Sequence, residues 1–469
     1  MIVFPLIYIA SFFYSLKQLI SKNKQGILVF VIFGLPIYTS SLSIALQAGF
    51  GSIIPFMQPF KELIVLATLG VGVWEFKGKF RPQLIDYFVI AYFLYTVLYV
   101  FLPIGQLGFL ARAIAFKSSA FFTIVYFTGR LIRIKELYLS KYFHYFLLVI
   151  IAATFLLLYE VIKDQHFQTL SGYADYNFYL FNQEPSGNYG LTWTFETATG
   201  LKRFASFFAN PLEYGAATLL VLAVIAGLYT RDNNRFKPNM LGIIAIVATQ
   251  LSILLAISRA SLASYGIMIF VYALATKNKF ILRTIYAVSG IVVLYFILFI
   301  TVIHPDIYDL VYETITFTNP SSVGHIIAWI NAIEAITSSP LGMGLGASGV
   351  LAESAGGGTG GENQFLIIGV QTGVITILLY LTIYCMIIRS CWVWLNRLTG
   401  KKRMLCLTLL LMKIGFIIPL LTSELESSAY ISYVVWLFSG FFVSMIAEEK
   451  ALNSITPSMV NETQNNEKN

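Results

Sequence analysis

Four short stretches of this chain combine residue types that can do chemistry. The first is Arg203-Phe204-Ala205-Ser206-Phe207-Phe208-Ala209-Asn210-Pro211-Leu212-Glu213. An Asn-Pro pair starts a turn or a helix, because proline suits the first helical position. Arg203 is thereby placed at the face of the apolar segment that follows, where a guanidinium fork suits a phosphate group. A lipid-headgroup anchor is the alternative. The second stretch is Ser258-Arg259-Ala260-Ser261, a tight turn between two apolar segments. With almost no loop to carry it, Arg259 must sit at a membrane boundary, and its small neighbours let another element approach closely. Its alternative is a structural arginine bonding helix-end carbonyls.

The third stretch runs from Val323 to Thr337, with Ile326, Trp329, Ile330, Ile333 and Ile336 near helical spacing. Ser321 or Ser322 can cap its start and Pro340 lies past its end. This predicts an amphipathic helix lying on a membrane surface. His325, near its start, is a candidate catalyst, or else a solvated or capping residue. The fourth is Gly361-Glu362-Asn363-Gln364-Phe365, after a run of glycines. Where a polar loop meets an apolar segment, Glu362 is a candidate general base. Otherwise it is a helix N-terminal glutamate answering the helix dipole. The glycine run is not a nucleotide loop, since no Lys-Ser/Thr follows it. No His/Cys/Asp cluster has metal-ligand spacing, so neither a metal nor a cofactor is expected.

What positions these stretches follows from composition. The chain has 469 residues, 57% hydrophobic and only 12% charged, with mean hydropathy +0.76. Continuous apolar runs of bilayer length recur throughout, which predicts helices rather than a barrel. Segments are expected at about 1–16, 27–45, 55–75, 84–103, 109–128, 142–159, 214–230, 240–257, 261–276, 284–303, 364–388, 404–422 and 430–446. The expectation is therefore an all-α polytopic membrane protein with about 12–13 transmembrane helices and two large extracytoplasmic loops. The N-terminus lacks a basic region and a small-residue cleavage site, so the first segment is expected to stay in the membrane. Cys385, Cys391 and Cys406 read as packing residues.

The net charge of +8 reflects cytoplasmic loops, not nucleic acid. All but eight of the 31 Lys and Arg fall in alternate connectors or the tail. The exceptions are Lys61, Arg112, Lys117, Lys163, Lys202, Arg203, Arg259 and Lys413. They are either snorkelling to headgroups or facing a cavity or partner. By this charge bias the chain divides into helices 1–159, an outer loop 160–213, helices 214–303, an outer loop 304–363, helices 364–446 and a polar cytoplasmic tail 447–469 expected to be disordered. A transporter would need ionisable residues at mid-membrane, where Lys413 and Asp86 are the candidates.

In this order and topology, several elements together resemble the O-antigen ligase and polymerase superfamily, over about residues 200–390. They are the Arg203-to-Pro211 stretch, the Ser258-Arg259 turn, the Trp329 helix, the motif Pro340-Leu341-Gly342-Met343-Gly344-Leu345-Gly346, and Glu362-Asn363-Gln364-Phe365 followed by Gly369 and Gly373. The resemblance implies a GT-C-like glycosyltransferase of the bacterial inner membrane, with its active face extracytoplasmic. Its substrate would be an undecaprenyl-pyrophosphate-linked glycan among membrane lipids, and its partners a chain-length regulator and a flippase. Arg203, Arg259, Lys202 and Asn363 would bind substrate, and Glu362 with His325 would be catalytic, in a metal-independent, inverting transfer. The family often carries an arginine where this chain has His325, and its ligases a histidine where this chain has Glu362. The second departure favours a polymerase over a ligase.

Overall fold

The computed structural model describes residues 1–76, 80–105, 107–197, 200–295, 320–349, 352, 358–359 and 361–466; for 320–322 and 453–466 it describes the helical backbone alone. Among the described residues the protein is built of helices, with three isolated β-bridges and no strands. In chain order the long helices are α1 (Val3–Ile20), α2 (Lys24–Gln47), α3 (Gly51–Trp74), α4 (Leu84–Phe101), α5 (Phe109–Arg130) and α6 (Leu139–Lys163). Then come α7 (Tyr173–Phe181), α8 (Pro211–Tyr229), α9 (Met240–Leu255), α10 (Arg259–Ala275), α11 (Lys279–Tyr295), α12 (Pro320–Ser338), α13 (Gln364–Thr372) and α14 (Val374–Leu395). α15 (Gly400–Thr422) and α16 (Ala429–Asn466) complete the chain.

Ten of these, among the described residues, are long and apolar enough to cross a membrane, and α9 and α10 are shorter apolar helices. The protein is therefore an all-α multi-pass membrane protein. All thirteen expected segments are represented by helices. The tenth is described only as far as Tyr295. The start of the second large loop, including His304, lies outside the described residues.

Local chemistry sets the helix ends. Asn210 accepts from the Glu213 amide at 2.9 Å, with Pro211 at the first turn, so α8 begins where the Asn-Pro pair predicted. Asn239 caps α9 in the same way. Gln83 and Asp86 form a reciprocal capping box on α4. α2 is a composite of 3-10, α and π turns, interrupted around Gly34 and Pro36.

The core is the packing of α5 against α16 and of α8 against α15. Gly129 of α5 meets Gly440 of α16 so closely that a Cβ on Gly440 would lie 2.2 Å from the Tyr126 carbonyl oxygen. This close approach of small residues replaces the hydrophobic driving force that helices lack in lipid. The basic connectors gather at one end. There Arg130 holds Asp86 with two charge-assisted bonds of 2.8 and 2.7 Å, and Tyr126 donates to the same carboxylate at 2.6 Å. Arg403 donates to the Arg231 carbonyl, and Lys402 pairs with Glu449. Asp86 is thus fixed in a bidentate clamp and is not a mobile ionisable group.

Two expectations need correction. The segment expected at 364–388 is not one helix: it breaks at Gly373 into α13 and α14. The apolar run is continuous, but Gly373 adopts φ 84°, ψ −179°, a conformation essentially reserved for glycine. The tail expected to be disordered continues the last helix to Asn466. Ala447-Glu448-Glu449-Lys450-Ala451-Leu452 are good helix formers and carry α16 past the apolar span.

Candidate functional site

The break at Gly373 explains the glycine-rich motif. Residues Pro340 to Gly344 run through the gap between α13 and α14. The Met343 amide donates to the Val370 carbonyl at 2.7 Å and the Gly344 amide to Gln371 at 3.0 Å. The Val374 amide donates to the Pro340 carbonyl at 3.0 Å. The motif therefore satisfies the carbonyls that end α13 and an amide that begins α14. Glycine is required by contact: a Cβ at Gly342 would lie 2.7 Å from the Gln371 oxygen. On its other side the motif meets α4, where the Tyr99 hydroxyl donates to the Leu341 carbonyl.

α12 covers the predicted stretch Val323–Thr337 but runs from Pro320 to Ser338, so Ser321 and Ser322 lie inside the helix rather than at its cap. Ala332 and Ile336 are buried against Val370 of α13. Val323, Ile327, Ile330 and Ile333 stay exposed. α12 thus presents an apolar stripe outward and docks its other side on the short helix α13.

This docking brings the two candidate catalytic groups together. His325, on the first turns of α12, places Nδ1 against Oε2 of Glu362, just before α13. Their side chains are 32% and 48% exposed, so both remain open to a substrate. Glu362 had been expected at an apolar boundary; instead it is half exposed and its neighbour is an imidazole. Asn363 is buried and its side-chain oxygen accepts from the Phe365 and Leu366 amides at 3.0 and 3.3 Å. It caps α13 and so fixes where Glu362 stands, which makes it a positioning residue in this structure.

The two arginines also converge. Arg203 and Arg259 lie close enough for the charge of one to act on the other. Burial, and then Arg259, push the Arg203 guanidinium below its ordinary value, and its Nε is buried without a partner. Two like charges held together in this way suit an anion. Lys202 does not join them. Its ammonium is bound by Asp164 at 2.6 Å and lies over the Tyr189 ring. It sits in the bridge from Glu196 to Lys202, where successive side chains point to opposite sides.

The connector after α15 links the two halves. Gly215 of α8 packs on Ser258 and Ser261 beside Arg259. Glu213 of α8 faces Ser428 of that connector. The Glu426 amide in the same connector donates to Gln364 at 3.0 Å, one residue from the Asn363 cap. The Glu426 carboxylate is itself held by Tyr380 at 2.5 Å, Ser432 at 2.5 Å and Trp436 at 2.8 Å. Lys413, wholly buried, sets its ammonium 3.7 Å over the Trp436 ring. Sequence reasoning had marked Lys413 but missed Glu426, whose carboxylate ties α14 and α16 to this connector. A glutamate in Ser423-Glu424-Leu425-Glu426-Ser427-Ser428 looks like any solvated loop acid.

The loop 160–213 is equally built. Glu160, buried at the end of α6, accepts from the Phe167 and Ser206 amides at 2.8 Å each. Gln168 donates to the Ser206 and Phe208 carbonyls at 2.9 Å each. These bonds close the loop and set the extended segment that carries Arg203. Compared with known proteins, the chain matches no protein-family model and no curated protein.

Proposed function

We propose that this protein is a glycosyltransferase of the bacterial inner membrane that polymerises a surface polysaccharide of the O-antigen or capsule type, taking glycan from an undecaprenyl-pyrophosphate donor to a lipid-linked repeat unit at its extracytoplasmic face. The observation that carries this reading is the His325–Glu362 contact, formed by residues far apart in the chain. It is supported by the neighbouring arginines Arg203 and Arg259. Both pairs lie at the end of the bundle opposite the basic connectors, the extracytoplasmic end by the charge bias.

In this mechanism Glu362 takes the proton of the acceptor hydroxyl. The acceptor oxygen attacks the anomeric carbon as the bond from that carbon to the pyrophosphate oxygen breaks, with inversion. The charge that develops on the leaving undecaprenyl pyrophosphate is met by Arg203 and Arg259. His325 orients the Glu362 carboxylate. The lipid chain lies along the apolar helices, beside which the exposed stripe of α12 would rest on the bilayer.

A second reading has one specific observation behind it. His325 puts an imidazole beside the Glu362-Asn363 pair, and the ligases of the superfamily carry a histidine before that asparagine. The same chemistry would then move finished glycan to lipid A core or another acceptor. Deletion separates the two: loss of a polymerase leaves single repeat units on the surface lipid, whereas loss of a ligase leaves long undecaprenyl-linked polymer. Glu362→Gln, at normal protein level, should lower product formation by about 10²–10⁴-fold, and Arg259→Ala should reduce it too. Full-length product from Glu362→Gln would exclude the general-base role.

A further inference from the structure

At the basic end of the bundle, opposite the His325–Glu362 contact, α1 ends and α2 and α6 begin. The three helices border a cavity of about 420 Å³. That lies within the range of small-molecule sites, about 300–1,000 Å³. Its end at the connectors is polar. Gln18 of α1, Asn23 in the connector, Gln25 on the first turn of α2 and Lys141 on the first turn of α6 line it there. Its deeper part is apolar and aromatic: Val29 and Phe33 follow Gln25 along α2, and Tyr145 follows Lys141 along α6. From Gln25 to Phe33 is about 12 Å along a helix. Polarity therefore changes in the same sense on both helices, from the connectors toward the membrane interior.

The polar end is built for an anion. Asn23 donates to the Gln18 side-chain oxygen at 2.8 Å, and the Tyr138 amide donates to the Gln25 side-chain oxygen at 3.0 Å. With those oxygens engaged, the Gln18 and Gln25 amino groups are left as donors. Gln25 is buried, yet among the described residues its amino group bonds nothing and remains open to the recess. The Lys141 ammonium lies 5.8 Å from the Tyr145 ring centroid. Among the described residues no carboxylate stands within 4.0 Å of it, and no acid lines the recess. Amide donors and a cation without a carboxylate suit a phosphate ester. Two rings close the deeper part, Phe33 and Tyr145, with centroids 5.2 Å apart. Beyond them Leu148, Ala152 and Phe155 follow Tyr145 at helical spacing on α6, and all three are exposed. An apolar track thus leads away from the polar end along the outside of the bundle.

We infer that this recess binds one anionic phospholipid of the membrane leaflet at the basic end, with its phosphate at Gln25 and Lys141, its glycerol against the Phe33 and Tyr145 rings and an acyl chain along Leu148 and Phe155. The polarity gradient favours a lipid over a free phosphate, because a soluble anion would use the polar end and give Val29, Phe33 and Tyr145 no part. Basic pockets between membrane helices on the cytoplasmic side hold such headgroups. Lys17 and Lys22, exposed and next in the chain to Gln18 and Asn23, add to the attraction. A lipid held here bridges α1, α2 and α6, so it steadies the N-terminal helices. This role is independent of the glycan chemistry proposed above.

The test uses the full-length protein in detergent. Dioleoylphosphatidylglycerol is the probe, and dioleoylphosphatidylcholine, with the same chains and no net charge, is its comparison. Phosphatidylglycerol should raise the melting temperature more than phosphatidylcholine does, and native mass spectrometry should find one copy retained per protein. Lys141→Gln changes an exposed side chain and should weaken that retention about fivefold, the contribution of one lysine near an anionic membrane surface. Val29→Trp fills the recess and should abolish the difference between the two lipids. Lys135→Gln, at an exposed lysine that does not line the recess, should leave the difference intact. Glycerol phosphate without acyl chains should shift nothing. The site is overturned if the two lipids act alike on wild type, or if Lys141→Gln retains phosphatidylglycerol as wild type does. It is equally overturned if Lys135→Gln loses as much as Lys141→Gln, if Val29→Trp keeps the phosphatidylglycerol effect, or if glycerol phosphate alone reproduces it.

Discussion

Gly373→Ala should disconnect the short helix α13 from the membrane span α14 without unfolding the bundle. Two costs act at once. The native φ of 84° with ψ −179° is strained for any other residue by about 1–3 kcal/mol. The new Cβ would also lie 2.4 Å from the Pro340 oxygen and 2.6 Å from the Leu341 carbonyl carbon. Both are backbone atoms in a closely fitted motif, so relief requires the motif to withdraw. Withdrawal breaks the bonds from Met343, Gly344 and Val374, each worth about 0.5–1.5 kcal/mol. Together the local destabilisation is about 3–7 kcal/mol by these figures. Even the lower value changes an opening equilibrium by about 100-fold. Hydrogen exchange at the Met343, Gly344 and Val374 amides reads it directly. Their protection should fall at least 100-fold, while amides in α5 and α16 keep theirs. Because Glu362 stands at the head of α13, the glycan product of the proposed activity should fall in parallel. Gly266→Ala is the control: nothing lies within 4 Å of the position and its φ is ordinary. If Gly373→Ala holds its three amides within tenfold of wild type, the role assigned to the motif is wrong.

Two further perturbations probe the frame. Gly440→Ala places a Cβ 2.2 Å from the Tyr126 oxygen and 2.8 Å from the Arg130 nitrogen; overpacking here should cost about 1–3 kcal/mol and lower the melting temperature by several degrees, and an unchanged melting temperature would contradict the close helix contact. His166 is 2% exposed, its ring nitrogens are unbonded, and it is packed among Tyr189, Phe195 and Phe204. Burial, with Lys202 adding to it against Asp164 and Glu196, pushes its imidazole down to about 4. A value depressed below that of the unfolded chain, about 6.5, means the stabilisation is complete above that pH and is lost as pH falls toward 4. Protease resistance of the 160–213 loop should therefore drop across this window, and His166→Phe should flatten the drop; an identical acid profile in the variant would rule out His166 as its source.

The sequence made the helices legible because each apolar run had only one way to bury its backbone in lipid. The same signal hid the break at Gly373, where hydropathy is unbroken and the bend depends on a motif thirty residues earlier. Pro340 to Gly346 could be seen as a motif, but not as the plug that completes two helix ends. Glu362 and His325 were each visible as candidates; their contact was not, because it depends on Ala332 and Ile336 docking on Val370. Lys202 neighbours Arg203 in the chain, yet an extended backbone turns neighbours apart, and Asp164 holds the lysine. Glu426 carried no signal at all. Its importance arises from Tyr380, Ser432 and Trp436, which two helices bring to the one carboxylate of a connector. In an apolar chain, then, composition locates the polar residues that need an explanation, as Lys61 and Lys413 did. Only the packing tells how each is answered: Lys413 lies over the Trp436 ring yet its ammonium has no hydrogen-bond partner, as is true of the Tyr430 hydroxyl and of one Glu62 carboxylate oxygen.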